Sequence, residues 1–188
     1  MPDKLRDQDA TELWGNFLDG LGADSFTAFD RLYAAFLPMV IRYCRFRLRD
    51  AHLAEDIANA AFVRLLENRP VLKSSFIGLL LRTARNLCAS ETSRKPLGRP
   101  MPAEPASPSE AEPGHELERQ DAHAALADCL DRLPEPDRTL VVLHHGEGLT
   151  YREISDVLGQ RVALSTFTRR LKRIKDQLLR CLREKSIF

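Results

Sequence analysis

Gly148-Leu149-Thr150-Tyr151-Arg152-Glu153-Ile154-Ser155-Asp156-Val157-Leu158-Gly159, followed by a segment carrying Arg169, Arg170, Lys172, Arg173 and Lys175, decides the reading of this chain. Thr150 and Glu153 have the spacing of a capping box, in which a hydroxyl and a carboxylate satisfy each other's orphan amides at a helix start. A short helix should therefore begin there, and Gly159 should end it. Ile154, Val157 and Leu158 give that helix one apolar stripe. Phe167, Leu171, Ile174 and Leu178 recur at three- and four-residue steps and give a second helix a stripe of its own. The two stripes should pack together as a helix-turn-helix. Arg169 and Arg170 read as lying opposite the second stripe, with no need of a partner inside the domain. From Arg161 onward nine basic residues stand against Asp176 and Glu184. The whole chain has a formal net charge of only +1, so positive charge is concentrated at this end. Such a polarised helix suits displacement of counterions from nucleic-acid phosphates.

A chain of 188 residues with 44% hydrophobic content can bury a real core, and its length admits two small helical domains. Pro96, Pro100, Pro102, Pro105, Pro108 and Pro113 all fall between Lys95 and Gly114. That stretch cannot sustain a helix, and it reads as an extended, mobile linker. The expected domains are thus 1–94, a Pro-rich acidic linker 95–114, and 115–188.

Four helices are expected before the linker. The first, about Asp9 to Leu21, presents Leu13, Trp14, Phe17, Leu18 and Leu21. The second starts at Ser25 with Phe26, Phe29, Leu32, Tyr33 and Phe36 as core, and Pro38 should kink or interrupt it. Asp50 should cap the third, whose stripe includes Leu53, Ile57, Phe62 and Leu66, leaving Glu55, Asp56, Asn59 and Arg64 for another face. The fourth, from Ser75 to about Thr92, turns Phe76, Leu79, Leu80, Ala84 and Leu87 inward and Arg82, Arg85 and Asn86 outward.

The same sequence excludes several functions. Glu55 and Asp56 diverge by about 100° on a helix and cannot converge as an acid–base pair. Adjacent His144 and His145 read as cap residues. No Ser/His/Asp order, glycine-rich phosphate loop or His-Glu-x-x-His spacing appears, so no catalytic residue is assigned and no enzyme activity is expected. Cys44, Cys88, Cys129 and Cys181 are scattered, without Cys-x-x-Cys pairs. They read as reduced core thiols rather than a metal site or disulfide framework. No cofactor is expected. The absence of an apolar leader or spanning segment points to a cytoplasmic protein with no membrane insertion.

Ala54-Glu55-Asp56-Ile57-Ala58-Asn59-Ala60-Ala61-Phe62-Val63-Arg64-Leu65, followed by Phe76 to Asn86, resembles the second conserved region of bacterial RNA polymerase sigma factors of the extracytoplasmic-function (ECF) group. Leu130-x-x-Leu133-Pro134, Asp137-Arg138, Leu143, Leu149-Thr150-Tyr151-Arg152-Glu153-Ile154 and Gly159 resemble their fourth region. The chain departs from the family pattern at Asn59, where glutamine is common, at Leu79, where tryptophan is, and near Ser90, where aspartate is. The resemblance implies an all-α, two-domain alternative sigma factor whose partners are core RNA polymerase and promoter DNA, and it leaves room for an anti-sigma factor. Glu55, Asp56, Asn59 and Arg64 would dock on the polymerase. The loop from Glu67 to Ser75 could pocket a flipped base of the minus-ten element, and Arg82, Arg85 and Asn86 could track the unpaired strand. Thr166, Thr168, Arg169, Arg170 and Arg173 would face the minus-thirty-five element. The linker, with Glu104, Glu110 and Glu112, would thread through the polymerase near the nascent RNA. The alternative is a stand-alone helix-turn-helix DNA-binding regulator, which would leave the Ala-Glu-Asp helix without a role.

Overall fold

The computed structural model describes residues 6–20, 23–72, 75–94, 116–160 and 163–185, and every regular element among them is helical. The expected linker, 95–114, lies outside the described residues. The chain divides into two compact units, residues 1–100 with 152–161 and residues 101–151 with 162–188.

The first unit contains α1 (Asp7–Asp19), α2 (Ala23–Leu48), α3 (Ala51–Asn68) and α4 (Phe76–Arg94), which pack on one another. The short α7 (Tyr151–Leu158), with Ile154 and Val157 buried, falls in this unit by its contacts from Arg152 onward. Its core is aromatic. Trp14 stands 5.0 Å from Phe17 and 5.5 Å from Phe76, ring centre to ring centre, while Phe62 meets Tyr33 at 5.0 Å. The indole of Trp14 also donates to the carbonyl of Pro70 at 2.9 Å, tying α1 to the segment after α3. Asp50 caps α3 as expected, its side chain accepting from the Leu53 amide at 3.0 Å. The start of α4 is held from a distance: Asp7 Oδ1 accepts from the Ile77 amide and from Ser75 Oγ, each at 2.9 Å. A carboxylate there meets the positive end of the α4 dipole as well as orphan donors.

Four expectations about this unit need correction. Helix α2 is not interrupted at Pro38, which forgoes a backbone bond without ending a helix this firmly packed. Phe26 is 66% exposed and outside the core. Leu65 rather than Leu66 is buried on α3, and Leu79 and Leu87 lie at the flank of α4 while Ile77, Leu81 and Cys88 go inside. With several apolar residues per turn, periodicity allowed more than one stripe, and the neighbouring helices chose between them. Cys44 and Cys88 do remain free buried thiols, with sulfurs 3.8 Å apart. The hydrogen bond with Cys88, reinforced by burial, pushes the Cys44 thiol well up, so it stays protonated.

The second unit contains α5 (Glu116–Asp131), α6 (Glu135–Val141), which runs into a π-helical turn (Val142–Gly146), and α8 (Leu164–Glu184). Both α5 and α6 pack on α8. Leu140, Leu143, Phe167 and Ile174 are buried. A separate small cluster joins Ala125 and Cys129 of α5 to Leu178, Cys181 and Leu182 of α8. Within it Cys129 and Cys181 form a disulfide with a Cα separation of 5.8 Å, which corrects the expectation of four reduced thiols. The two residues are 52 positions apart, and only the docking of α5 on α8 makes them neighbours. The Asp137-Arg138 pair acquires a physical meaning here. Arg138 reaches back to the Asp131 carboxylate at 3.1 Å and fixes the α5–α6 corner, whereas Asp137 points the other way, to α8.

Candidate functional site

Three surfaces carry the residues singled out by sequence. The first is the outer edge of α3. Asp56 and Asn59 are exposed there, Asn59 accepting a 2.7 Å hydrogen bond from the Tyr33 hydroxyl. Glu55 is half-buried and paired with Arg45 at 2.7 Å. Arg64, although exposed, stands more than two turns further along the helix. The edge can offer an acidic and amide surface, stiffened from below by α2.

The second surface is an open hollow of about 290 Å³ between α3 and α4. Arg64, Asn68, Leu79, Thr83, Asn86 and Ser90 are among its lining residues. Arg64, read from sequence with the α3 edge, therefore meets Asn86, read with the strand-tracking group. Leu79 and Ser90, two of the departures from the family pattern, both face this hollow, so those departures alter one place. Asn68 and Thr83 were not singled out by sequence, because only the packing of α3 on α4 brings them to one concavity. The other two residues of the strand-tracking group are less available. Arg82 is half-buried, and its Nε donates to the Asp156 carbonyl at 2.7 Å. Arg85 is half-buried as well. Lys73 and Ser74, in the loop expected to pocket a base, lie outside the described residues.

The third surface is α8. Thr166, Thr168 and Arg169 are exposed, with Thr168 Oγ1 turned back to the Leu164 carbonyl at 2.9 Å. Arg170 does not match its sequence reading. It is 24% exposed and its Nε bonds Asp137 Oδ1, while Arg173 bonds Oδ2 of the same carboxylate at 3.1 Å. Helical geometry gives the reason. At 100° per residue Arg169 projects about 160° from Phe167, but Arg170 projects only about 60° away, on the flank of the buried stripe. The arginines three residues apart point the same way, and Asp137 is the carboxylate they meet. The 33-residue gap between Asp137 and Arg170 hid that pairing from sequence reasoning. Among the described residues no cluster of His, Cys, Asp and Glu is placed to hold a metal.

The two neighbouring arginines should therefore contribute differently to stability. Arg169→Ala is expected to leave the melting temperature unchanged. Arg170→Ala should cost about 1–3 kcal/mol, because it leaves buried Asp137 with less compensation. Thermal unfolding of the two variants side by side checks this.

Two stretches of the chain match known families. Residues 32–95, spanning most of α2 and all of α3 and α4, match the family described as Sigma-70 region 2. Residues 123–178, from α5 into α8, match Sigma-70, region 4. That second match runs continuously through α7, which by packing belongs to the first unit. A 56-residue stretch is 43% identical to the RNA polymerase sigma factor FliA of Pseudomonas aeruginosa, covering 30% of this chain and 23% of that relative. The chain thus spans about a quarter of the length of that curated relative. No helix among the described residues is long and apolar enough to cross a membrane. The chain thus carries, in order, one stretch similar to Sigma-70 region 2 and one similar to Sigma-70, region 4, which together cover well over half of its length.

Proposed function

We propose that this chain is an alternative sigma factor of the ECF group, which binds core RNA polymerase and directs promoter-specific initiation of transcription. The observation that carries the reading is the basic outer face of α8, Arg169 with Lys172 and Lys175, lying within a region-4 sequence that follows a region-2 sequence. In this reading residues 1–94 form the docking and minus-ten domain, 95–114 the spacer and 115–188 the minus-thirty-five domain. Asp56 and Asn59, with Glu55 and Arg64, meet the polymerase. Arg82, Arg85 and Asn86 meet the unpaired strand beside the α3–α4 hollow. Thr166, Thr168 and Arg169 approach the major groove directly, and Arg170 and Arg173 approach it from their anchor on Asp137. The protein acts without catalytic chemistry of its own, in the compartment of polymerase and DNA, the bacterial cytoplasm. An anti-sigma factor is a further partner that the reading accommodates.

The deciding experiment is reconstitution with core RNA polymerase followed by run-off transcription on genomic fragments. Discrete start sites that depend on the chain are expected. A stand-alone regulator would bind duplex DNA yet fail to co-elute with core polymerase in gel filtration. Asp56→Arg should weaken polymerase binding by up to a few kcal/mol without changing the fold, since it sets like charges against each other across the contact. An unchanged dissociation constant for the folded variant would remove α3 from the interface.

A further inference from the structure

The structure points to Asp137 as a positioning residue that sets how α8 discriminates among DNA sequences; we infer that it withdraws charge from two arginines while fixing their direction. The inference rests on the DNA-binding reading above. Asp137 is 4% exposed, yet each of its carboxylate oxygens serves a different arginine of α8. Its own place is secure, because it stands in the first turn of α6 and its neighbour Arg138 locks the preceding corner. Arg170 is largely enclosed, but the Arg173 side chain remains 62% exposed while bonded to Asp137 through one terminal nitrogen. An arginine held by one edge of its planar fork retains donors on the other edge. Arg173 can thus present those donors outward in one orientation, with much of the rotamer entropy already spent.

Two consequences separate this role from a purely structural one. A guanidinium neutralised by a buried carboxylate displaces fewer counterions from DNA than an unpaired one, so Asp137 should lower sequence-independent affinity. By fixing the direction of the outward donors it should raise discrimination. The arrangement trades general attraction for orientation.

The test uses the full chain and two duplexes of equal length, one enriched from a randomised pool by the wild-type protein and one of random sequence. Asp137→Asn is nearly isosteric and removes the charge. It should bind random duplex more tightly at low salt, steepen the plot of log affinity against log salt by roughly one unit, and lose about ten-fold in discrimination. Asp137→Glu should restore much of the wild-type salt dependence. A folded Asp137→Asn protein with unchanged slope and discrimination would overturn the inference, because a structural role alone changes the folded fraction and not the slope. If Asp137→Asn does not fold, Arg173→Gln decides. A slope loss of less than half a unit together with reduced discrimination supports the positioning role. A loss of a full ~0.9 unit, as for an ordinary phosphate contact, or unchanged discrimination, refutes it. Failure of the wild-type chain to enrich any duplex would instead sink the DNA-binding reading itself.

Discussion

Trp14→Ala should destabilise the first unit by about 3–5 kcal/mol, the cost of removing a fully enclosed aromatic side chain. The indole is 0% exposed and sits between Phe17 and Phe76, so its loss leaves a cavity bordered by α1 and α4 together. The deleted Nε1–H also leaves the Pro70 carbonyl without that bond. Trp14→Phe separates the two contributions, retaining most of the apolar contact and costing only about 1–2 kcal/mol. Denaturant unfolding followed by circular dichroism is the measurement, since Trp14 is the sole tryptophan and its fluorescence disappears with it. A cost below about 1 kcal/mol for the alanine variant would show that α1 is dispensable to the core. The result matters for function because α1 precedes the region-2 match at residue 32, yet Asp7 caps α4 and Trp14 bonds the carbonyl of Pro70, a residue that lines the α3–α4 hollow.

The second large effect concerns the Cys129–Cys181 disulfide. A cross-link between residues 52 positions apart removes chain entropy from the unfolded state worth about 4 kcal/mol in the loop-closure treatment. The surrounding cluster is small, five residues in all, and two of those are the cysteines themselves. Reduction, or the double substitution Cys129→Ser with Cys181→Ser, should therefore lower the melting temperature of the second unit by roughly 15–30 °C. The Asp128–Lys185 ion pair at 2.7 Å beside the cross-link is half open to water and can offset little of that loss. Calorimetry with and without a thiol reductant, alongside alkylation and mass analysis of Cys129 and Cys181, would check both the bond and its worth. Identical unfolding in both conditions would mean that the α5–α8 seam holds by packing alone. Because Cys44 and Cys88 are free thiols in the other unit, reductant should leave the first transition where it is.

Sequence by itself determined the helical class, the Asp50 cap and the ends of α7 at Tyr151 and Gly159. All of these rest on residues within one or two helical turns of each other, where the period of 3.6 and the chemistry of orphan amides act without help from the rest of the chain. Tertiary structure alone decided which of several adjacent apolar residues go inside, as with Leu65 in place of Leu66. It also decided that Leu79, Thr83, Asn86 and Ser90 share a hollow with Arg64. The pairs that matter most for the candidate site lie far apart in sequence: Asp7 with Ile77, Asp137 with Arg170 and Arg173, and Cys129 with Cys181. A buried carboxylate or thiol selects its partner by proximity in the folded chain. The pattern along one helix marks which residues are available for such a bond, and the packing of another helix against it determines which of them make it.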